Sequence, residues 1–367
     1  MKVLFDHQVF QDQIVGGISR YYIQLFKQFQ NQYDFNFKVA LKLSNNQYVA
    51  ELSFLRHTTI ITSKQFKGLR KILNYFNKRN SINELKGKDF SIFHPTYYNP
   101  YFLNYLGNKP LVITVYDLIN EISEFSTKKH VKLLQWKKNA INRADKIIAI
   151  SNNTKKDLME YYKVPGSKIH VIYLANSLVL NPTSLIIEKN THNRYLLYVG
   201  KRSGYKNFEF FINSIAKILK KENISLICIG GGKFQKNENR LFKKLGLSMN
   251  VYHYFVNDAK LIYFYHHAIA FVFPSLYEGF GIPILEAFAC KCPVIASGTS
   301  SLPEVGGDAC IYFNPRDPEE LVYRVEQVIK DEHLRQQLIS AGNMQLKKFS
   351  WKTTALQTIE LYKTLSI

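Results

Sequence analysis

The chain has 367 residues, more than a single hydrophobic core usually organises, so two domains are expected. Hydrophobic residues make up 46% and charged residues 21%, ordinary values for a globular protein, and no apolar run approaches the roughly 18 residues of a membrane span. The formal charge of +21 asks for an anionic partner, and charge alone leaves nucleic acid, an anionic membrane surface and a phosphorylated ligand open.

Short apolar runs alternate with longer amphipathic ones. KVLFD at 2–6 reads as a buried strand, followed by a helix in GGISRYYIQLFKQF at 16–29. The segment 64–88 comes next. It carries Lys64, Lys67, Arg70, Lys71, Lys78, Arg79, Lys86 and Lys88 against one acid, Glu84. Phe66, Leu69, Ile72, Leu73 and Phe76 recur at helical spacing, which describes a basic amphipathic helix broken by Gly68. Two uses fit it: the apolar stripe packs on the domain core, or it lies on an anionic membrane leaflet. LVITVYDL at 111–118, KIIAIS at 146–151 and KIHVIYL at 168–174 then read as strands, with helices in 132–144 and 152–162. This is the βαβ rhythm of a parallel sheet.

A polar seam at 176–194 loses the rhythm, which restarts with YLLYVG at 195–200 and continues through SLICIGGG, NVYHYF, AFVFPS, PVIAS and CIYF, each followed or preceded by a helical stretch. The expected domains are 1–178 and 190–349. In such sheets ligands bind at the carboxyl ends of the strands. Four cysteines, Cys228, Cys290, Cys292 and Cys310, lack zinc-ligand spacing and read as small buried hydrophobes of a reducing compartment. The first residues contain no signal-peptide core, so a cytoplasmic protein with at most peripheral membrane contact is expected.

Three loops draw attention. Gly16-Gly17 opens the first helix, where a tight turn or a backbone approach to phosphate would each use glycine. Arg202 and Lys206 follow the strand ending at Gly200, as solvated charges or as a diphosphate clamp. Gly230 to Gly232 lack the spacing of a dinucleotide fingerprint and read as a strand-to-helix turn. The most informative stretch is SLYEGFGIPILEAF at 275–288. Glu278 falls in a glycine-bracketed loop after a buried strand. Pro283 marks a helix start, which puts Glu286 in the first helical turn. A loop carboxylate can accept hydrogen bonds from sugar hydroxyls, and one on the helix can hold a ribose diol. The backbone N–H groups of Gly279, Phe280, Gly281 and Ile282 lie between them.

The run PSLYEGFGIPILEAFACKCPVIASGTSSLPEVGGDA resembles the donor-site signature of the retaining glycosyltransferase family 4. So do GGISRY, VITVYDL, ADKIIAISNNTKKDL, YVGKRSGYKN, FVNDAKLIYFYHHA and the terminal FSWKTTALQTIELYKTL, along the whole chain. The likeness is strongest to bacterial mannosyltransferase-like enzymes of surface polysaccharide synthesis. It implies the GT-B fold: two Rossmann-like α/β domains facing across a cleft, with the C-terminal helix at 350–367 packing back on the first. It implies a donor that is a nucleoside-diphosphate sugar, GDP-mannose-like or a UDP-sugar, and a glycan or lipid-linked glycan acceptor.

By position, the resemblance gives Glu286 the ribose and gives Glu278 with the amides of Gly279 to Gly281 the donor sugar. Arg202 and Lys206 would clamp the diphosphate, Gly16 and Gly17 would close from the first domain, and Val256 would border the base. Members often carry His before the Asp of the VITVYDL motif. Here the pair is Tyr116-Asp117, and both are candidates for the cleft wall. No Asp-x-Asp pair occurs, so no metal or other cofactor is expected, and cations and helix N-termini would stabilise the leaving phosphate. The rival readings are a basic nucleic-acid-binding protein, which lacks RRM, KH or zinc-finger signatures, and a GT-B phosphorylase or epimerase. No nucleic-acid partner is expected.

Overall fold

The computed structural model describes residues 1–53, 58–59, 68–181 and 194–365. Lys64, Phe66 and Lys67 of the basic segment, and most of the polar seam, lie outside these residues. The chain forms two compact units. The first is Met1–Leu174 with Ser350–Ile367, and the second is Ala175–Phe349.

In the first unit the strands are β1 (Lys2–Phe5), β2 (Asn36–Val39), β3 (Leu43–Ser44), β4 (Thr58–Thr59), β5 (Ile92–His94), β6 (Val112–Val115), β7 (Lys146–Ala149) and β8 (Ile169–Val171). The helices used below are α1 (Gln8–Asp12), α2 (Gly17–Gln30), α3 (Leu69–Gly87), α4 (Leu103–Leu106), α5 (Val131–Arg143) and α6 (Asn152–Tyr162). The parallel ladders run β2-β1-β5 and β6-β7-β8. A parallel bridge between Phe93 and Leu111 joins them edge to edge. The strand order therefore reverses between β1 and β5.

The second unit holds β9 (Tyr195–Val199), β10 (Ser225–Ile229), β11 (Val251–Tyr254), β12 (Ala270–Phe273), β13 (Val294–Ser297) and β14 (Cys310–Phe313). Its helices are α7 (Phe208–Lys221), α8 (Lys236–Leu245), α9 (Asp258–His267), α10 (Ile282–Ala289), α11 (Leu302–Gly306), α12 (Pro318–Lys330) and α13 (Glu332–Leu346). The six strands pair in parallel in the order β11-β10-β9-β12-β13-β14, the doubly wound order of dinucleotide-binding domains. Here the reversal falls between β9 and β12. AFVF of β12 and VIAS of β13 are buried throughout because helices cover both faces of the sheet. The core beneath α7 joins Phe208, Phe211 and Ile215 to Leu226 and Val272 of the sheet and Val325 of α12.

The last helix, α14 (Trp351–Lys363), belongs to the first unit. Ser350 caps it, its hydroxyl oxygen accepting from the Thr353 N–H at 3.1 Å. The Tyr362 hydroxyl meets His94 Nδ1 at 2.6 Å, and the Thr354 hydroxyl donates to the Tyr173 carbonyl at 2.7 Å. These contacts seat the helix in an aromatic core that includes Phe5, Tyr22, Phe26 and Phe29. The four cysteines are buried and free, and burial pushes the thiols of Cys290 up to about 12 and of Cys228, Cys292 and Cys310 higher still.

Candidate active site

In the second unit the loops after β9 and β12 meet at the point of strand reversal. The Leu276 N–H donates to the Tyr205 carbonyl at 2.7 Å, and Lys206 Nζ reaches Glu278 Oε1 at 2.6 Å. The side chains are 16% and 13% exposed, so this ion pair is largely shielded but still reached by solvent. Lys206 Nζ also lies 5.1 Å from the ring centre of Tyr205 and 5.4 Å from that of Phe273. Two aromatic faces hold the ammonium where little water competes with an incoming anion.

The loop carrying Glu278 is pinned from behind. Its N–H donates to Ser300 Oγ at 2.9 Å, while the Ser301 hydroxyl lies 2.8 Å from the Glu278 carbonyl and 2.7 Å from that of Phe280. Gly281 ends the loop with φ +119°, where a side chain would strain the backbone, and a Cβ there would meet Leu302 Cδ2 at 2.9 Å and push it aside. α10 begins at Ile282, which places Glu286 in its second turn rather than the first, and no acid lies in the first turn. The reason is local: Pro283 sits one residue inside the helix, not at its start. Glu286 is 8% exposed, and its Oε2 accepts from the Tyr265 hydroxyl at 3.2 Å.

Arg202 occupies a different place from Lys206. Its side chain is 3% exposed. Nε donates to Glu238 Oε1 at 2.7 Å, Nη1 to the Gly230 carbonyl at 2.7 Å and Nη2 to the Gly232 carbonyl at 2.7 Å. The guanidinium thus spans the turn after β10 and the start of α8, and lies over the Phe234 ring. Glu238 in turn accepts from the Gln235 N–H, closing a capping box on α8. The stretch Gly230 to Gly232 is a strand-to-helix turn held by this arginine. Beside it, Lys201 is exposed and has no side-chain partner among the described residues. In the sequence Lys201 and Arg202 are adjacent cations with no local feature that separates their roles. Only the structure shows that the arginine is already engaged. Val256 sits at the carboxyl end of β11, the edge strand, beside the exposed Phe255.

In the first unit Gly16 is the N-cap of α2, with extended backbone. A Cβ on Gly16 would collide with the Gln13 side chain, whose Oε1 accepts from the Ser19 N–H at 3.0 Å. Gly17 is the first helical residue and faces open space. Tyr116 is 7% exposed, edge-on to Tyr21 at 6.0 Å and near Tyr98 at 6.2 Å. It is a core residue at the end of β6, and burial drives its hydroxyl well above the usual tyrosine range. Asp117 is partly exposed, with Oδ1 accepting from the Ile119 N–H at 3.2 Å. The Lys137 ammonium donates to the Asp117 carbonyl at 3.0 Å and pairs with Glu121 at 2.9 Å, tying this loop to α5.

Two family patterns cover these units. The description "Glycosyltransferase Family 4" matches residues 15–175, and "Glycosyl transferases group 1" matches residues 184–345. The chain is a glycosyltransferase of the GT-B fold. The glycosyltransferase is similar to O-antigen chain mannosyltransferase B of Escherichia coli, with 29% identity over 76% of this chain and 75% of that protein. Among solved structures it resembles sucrose-phosphate synthase from Thermosynechococcus elongatus, with TM-score 0.75, 19% identity, and 99% and 98% of the two chains covered. It also resembles the Anabaena protein HepE in complex with UDP and glucose, with TM-score 0.72, 16% identity, and 99% of each chain covered.

The geometry of the glycosyltransferase has a direct electrostatic consequence. An unpaired Glu278 would repel a diphosphate, whereas the Lys206–Glu278 pair is neutral as a unit and polar. A carboxylate holding one ammonium keeps lone pairs for sugar hydroxyls, and the ammonium keeps N–H groups for phosphate oxygen. Among the described residues no group of three or more His, Cys, Asp or Glu side chains could hold a metal ion.

Proposed function

We propose that this glycosyltransferase moves a hexose of the mannose type from a nucleoside-diphosphate sugar to a glycan or lipid-linked glycan, with retention at the anomeric carbon and without a metal ion. The single observation that carries the donor assignment is the Lys206–Glu278 pair, shielded by two aromatic rings at the strand reversal. The mannose type is supported by the name of the E. coli relative, and the nucleoside-diphosphate donor by the UDP held in the HepE structure.

In the reaction, the bond from the anomeric carbon to the donor's phosphate oxygen breaks. The acceptor oxygen bonds to the same carbon from the same face, and its proton passes to the departing phosphate oxygen. Charge builds on that phosphate. Lys206 and the unpaired Lys201 meet it, which is stabilisation by groups already in place. Arg202 acts behind them by holding the Gly230–Gly232 turn. Glu278 takes the donor sugar and Glu286 the ribose. A thermal-shift panel of GDP, UDP and ADP with their sugars, followed by transfer of labelled sugar with and without EDTA, tests this reading. Stabilisation by one nucleotide and EDTA-resistant transfer are expected. No stabilisation by any nucleotide, or transfer that stops with EDTA and returns with Mg²⁺ or Mn²⁺, would overturn it.

The lipid-linked option is favoured by α3. Leu69 and Leu73 of the expected stripe are buried, in register with Asn77, Ser81 and Leu85. Ile72 and Phe76 instead are 42% and 41% exposed, with Tyr75 at 59%, beside Lys71 and Arg79. The Leu face of the helix therefore lies on the core, and its aromatic, basic face turns outward. We place that outer face on the anionic cytoplasmic leaflet of the membrane, as a peripheral contact. Among the described residues no helix is long and apolar enough to cross a membrane.

A further inference from the structure

The loop after β6 begins with Tyr116 and Asp117, and a buried ion pair lies against it. Lys137 of α5 and Glu121, further along the loop, have side chains 2% and 7% exposed, with Nζ 2.9 Å from Glu121 Oε1. Two charges must leave water to make such a pair, so burial of the pair is weak evidence that it serves stability. A lysine kept there at that cost is expected to do more than pair.

The ammonium touches three segments. It reaches both oxygens of Glu121, with Oε2 at 3.2 Å, and it donates to the Asp117 carbonyl at 3.0 Å. It also lies 5.4 Å from the ring centre of Tyr98, in the loop after β5. The Tyr98 hydroxyl in turn accepts from the Tyr116 N–H at 3.2 Å. The two-residue stretch Tyr116-Asp117 is therefore gripped at both ends, by a phenol and an ammonium that are themselves neighbours.

Glu121 is fixed as well. The Tyr162 hydroxyl of α6 donates to its Oε1 at 2.7 Å, and its own N–H donates to the Leu118 carbonyl at 3.1 Å. Burial and the Glu121 carboxylate push the Tyr162 hydroxyl well above the usual tyrosine range, so it stays a donor. α5, α6 and two loops thus converge on one lysine. An ammonium has three N–H groups and no acceptor, so the carboxylate and the carbonyl can both be served at once.

What this cluster aims is a carboxylate with capacity to spare. Asp117 is partly exposed, and its Oδ1 accepts from the Ile119 N–H at 3.2 Å. Its Oδ2 has no hydrogen-bond partner among the described residues. An oxygen held in one place with free lone pairs can take a sugar hydroxyl. A misplacement of about 1 Å in such a group can cost on the order of 10² in rate. Lys137 is too deeply buried to meet a substrate itself, and it can act only through the loop.

We propose that Lys137 is a positioning residue of the glycosyltransferase. Its ammonium, neutralised by Glu121 and seated against Tyr98, fixes the Asp117 carbonyl and so aims the Asp117 carboxylate at a hydroxyl of a bound sugar during transfer. This rests on the proposed function for the part Asp117 plays in the transfer.

Lys137→Met with Glu121→Gln tests it in the full chain. The pair of substitutions removes both charges at nearly constant volume, and the Gln amide oxygen can still accept from Tyr162. A pair that serves only the fold is replaced without loss by neutral groups. The melting temperature should stay close to that of the unsubstituted chain. Turnover, read as nucleotide released from GDP-mannose or UDP-glucose with and without octyl α-mannoside, should fall ten-fold or more. The affinity for GDP and UDP should not change. Amide hydrogens over 116–121 should exchange ten-fold or more faster, with exchange in the second unit unchanged. Asp117→Ala alone should lower turnover at least as much, and adding it to the double variant should cost little more, because both act through one group. Tyr98→Phe keeps the ion pair and loosens only the Tyr116 end, so it should lower turnover several-fold without lowering the melting temperature.

Full turnover by the double variant overturns the proposal, as does full turnover by Asp117→Ala. Losses that multiply when the two are combined also overturn it, and so does unchanged exchange over 116–121. Absence of nucleotide release from either sugar nucleotide by the unsubstituted chain would instead sink the donor reading, while faster exchange of the loop in the double variant would still show that Lys137 holds it. The two failures are therefore distinguishable.

Discussion

The two units solve the same topological problem with opposite treatment of charge. Each has parallel strands whose order reverses once, and at each reversal two loops meet. In the second unit two cations of the site are paired, Lys206 with Glu278 and Arg202 with Glu238, while the exposed Lys201 has no side-chain partner among the described residues. In the first unit Lys78 and Lys132 line a cavity without carboxylate partners among the described residues. Paired charges hold a loop in one shape and present a polar, nearly neutral surface. Unpaired charges attract, and they make binding sensitive to salt. The pairing fits the donor role proposed for the second unit's site.

Removing Arg202 strikes at this contrast hardest. Arg202→Ala removes the ion-pair partner of Glu238 and one donor from each of the Gly230 and Gly232 carbonyls, in a site nearly closed to water. The expected loss is about 3–5 kcal/mol of stability in the second unit, the scale for breaking one side of a buried pair. Urea unfolding followed by a probe in each unit checks it. If only turnover falls, while the second unit's midpoint stays put, Arg202 belongs on the diphosphate after all.

Lys206→Ala should lower turnover by roughly 10²–10³, as loss of one preorganised donor does. Adding Glu278→Gln should recover part of the nucleotide affinity, because the stranded carboxylate is then neutral. Steady-state kinetics on the two variants measure this coupling, and purely additive effects would mean the pair is not electrostatically linked.

A smaller effect is carried by histidines of the first unit. Burial pushes His94 down to about 3 and His7 to about 4, from 6.5. The unfolded chain therefore binds more protons between those values and 6.5, and stability falls as pH drops through that window. Each buried histidine contributes a slope of about 1.4 kcal/mol per pH unit there. Melts at pH 7.5, 6.0 and 5.0 should show the first unit weakening first, and His94→Gln should flatten its slope. An unchanged slope in that variant would count against a neutral buried His94.

The smallest expected change concerns α3. Ile72→Ser, Tyr75→Ser and Phe76→Ser together should reduce co-sedimentation with phosphatidylglycerol vesicles. Lys71 and Arg79, exposed beside that face, changed to Ser should do so as well, by up to about 1 kcal/mol per charge. Equal binding by both variants would take α3 off the membrane.

Most of the second unit's site was readable from one stretch of chain. Glu278, Gly281 and Glu286 are close in sequence, and a buried strand, a loop and a proline-started helix fix their order along the crevice. Even there the register slipped by one residue: Pro283 is not the first helical residue, and Glu286 moves into the second turn. Arg202 against Lys201 was unreadable, because adjacent residues differ in what they face, and the partner that decides it, Glu238, lies on another helix. The cavity of the first unit left no local trace. Gln11, Lys78, Asn99 and Trp136 come from four separate segments, and only the sheet order gathers them.

The βα alternation, the seam, the basic segment and the donor-loop motif are properties of consecutive residues. Periodicity, turn chemistry and spacing act over a few positions, so the sequence by itself determined two Rossmann-like domains and where the donor loop begins. Which cations remain free, which face of α3 turns outward and where α14 docks depend on partners far along the chain. Burial and ion pairing are settled between elements, not within them, and for that reason only the tertiary structure decided that Arg202 is engaged and that Lys78 and Lys132 are not.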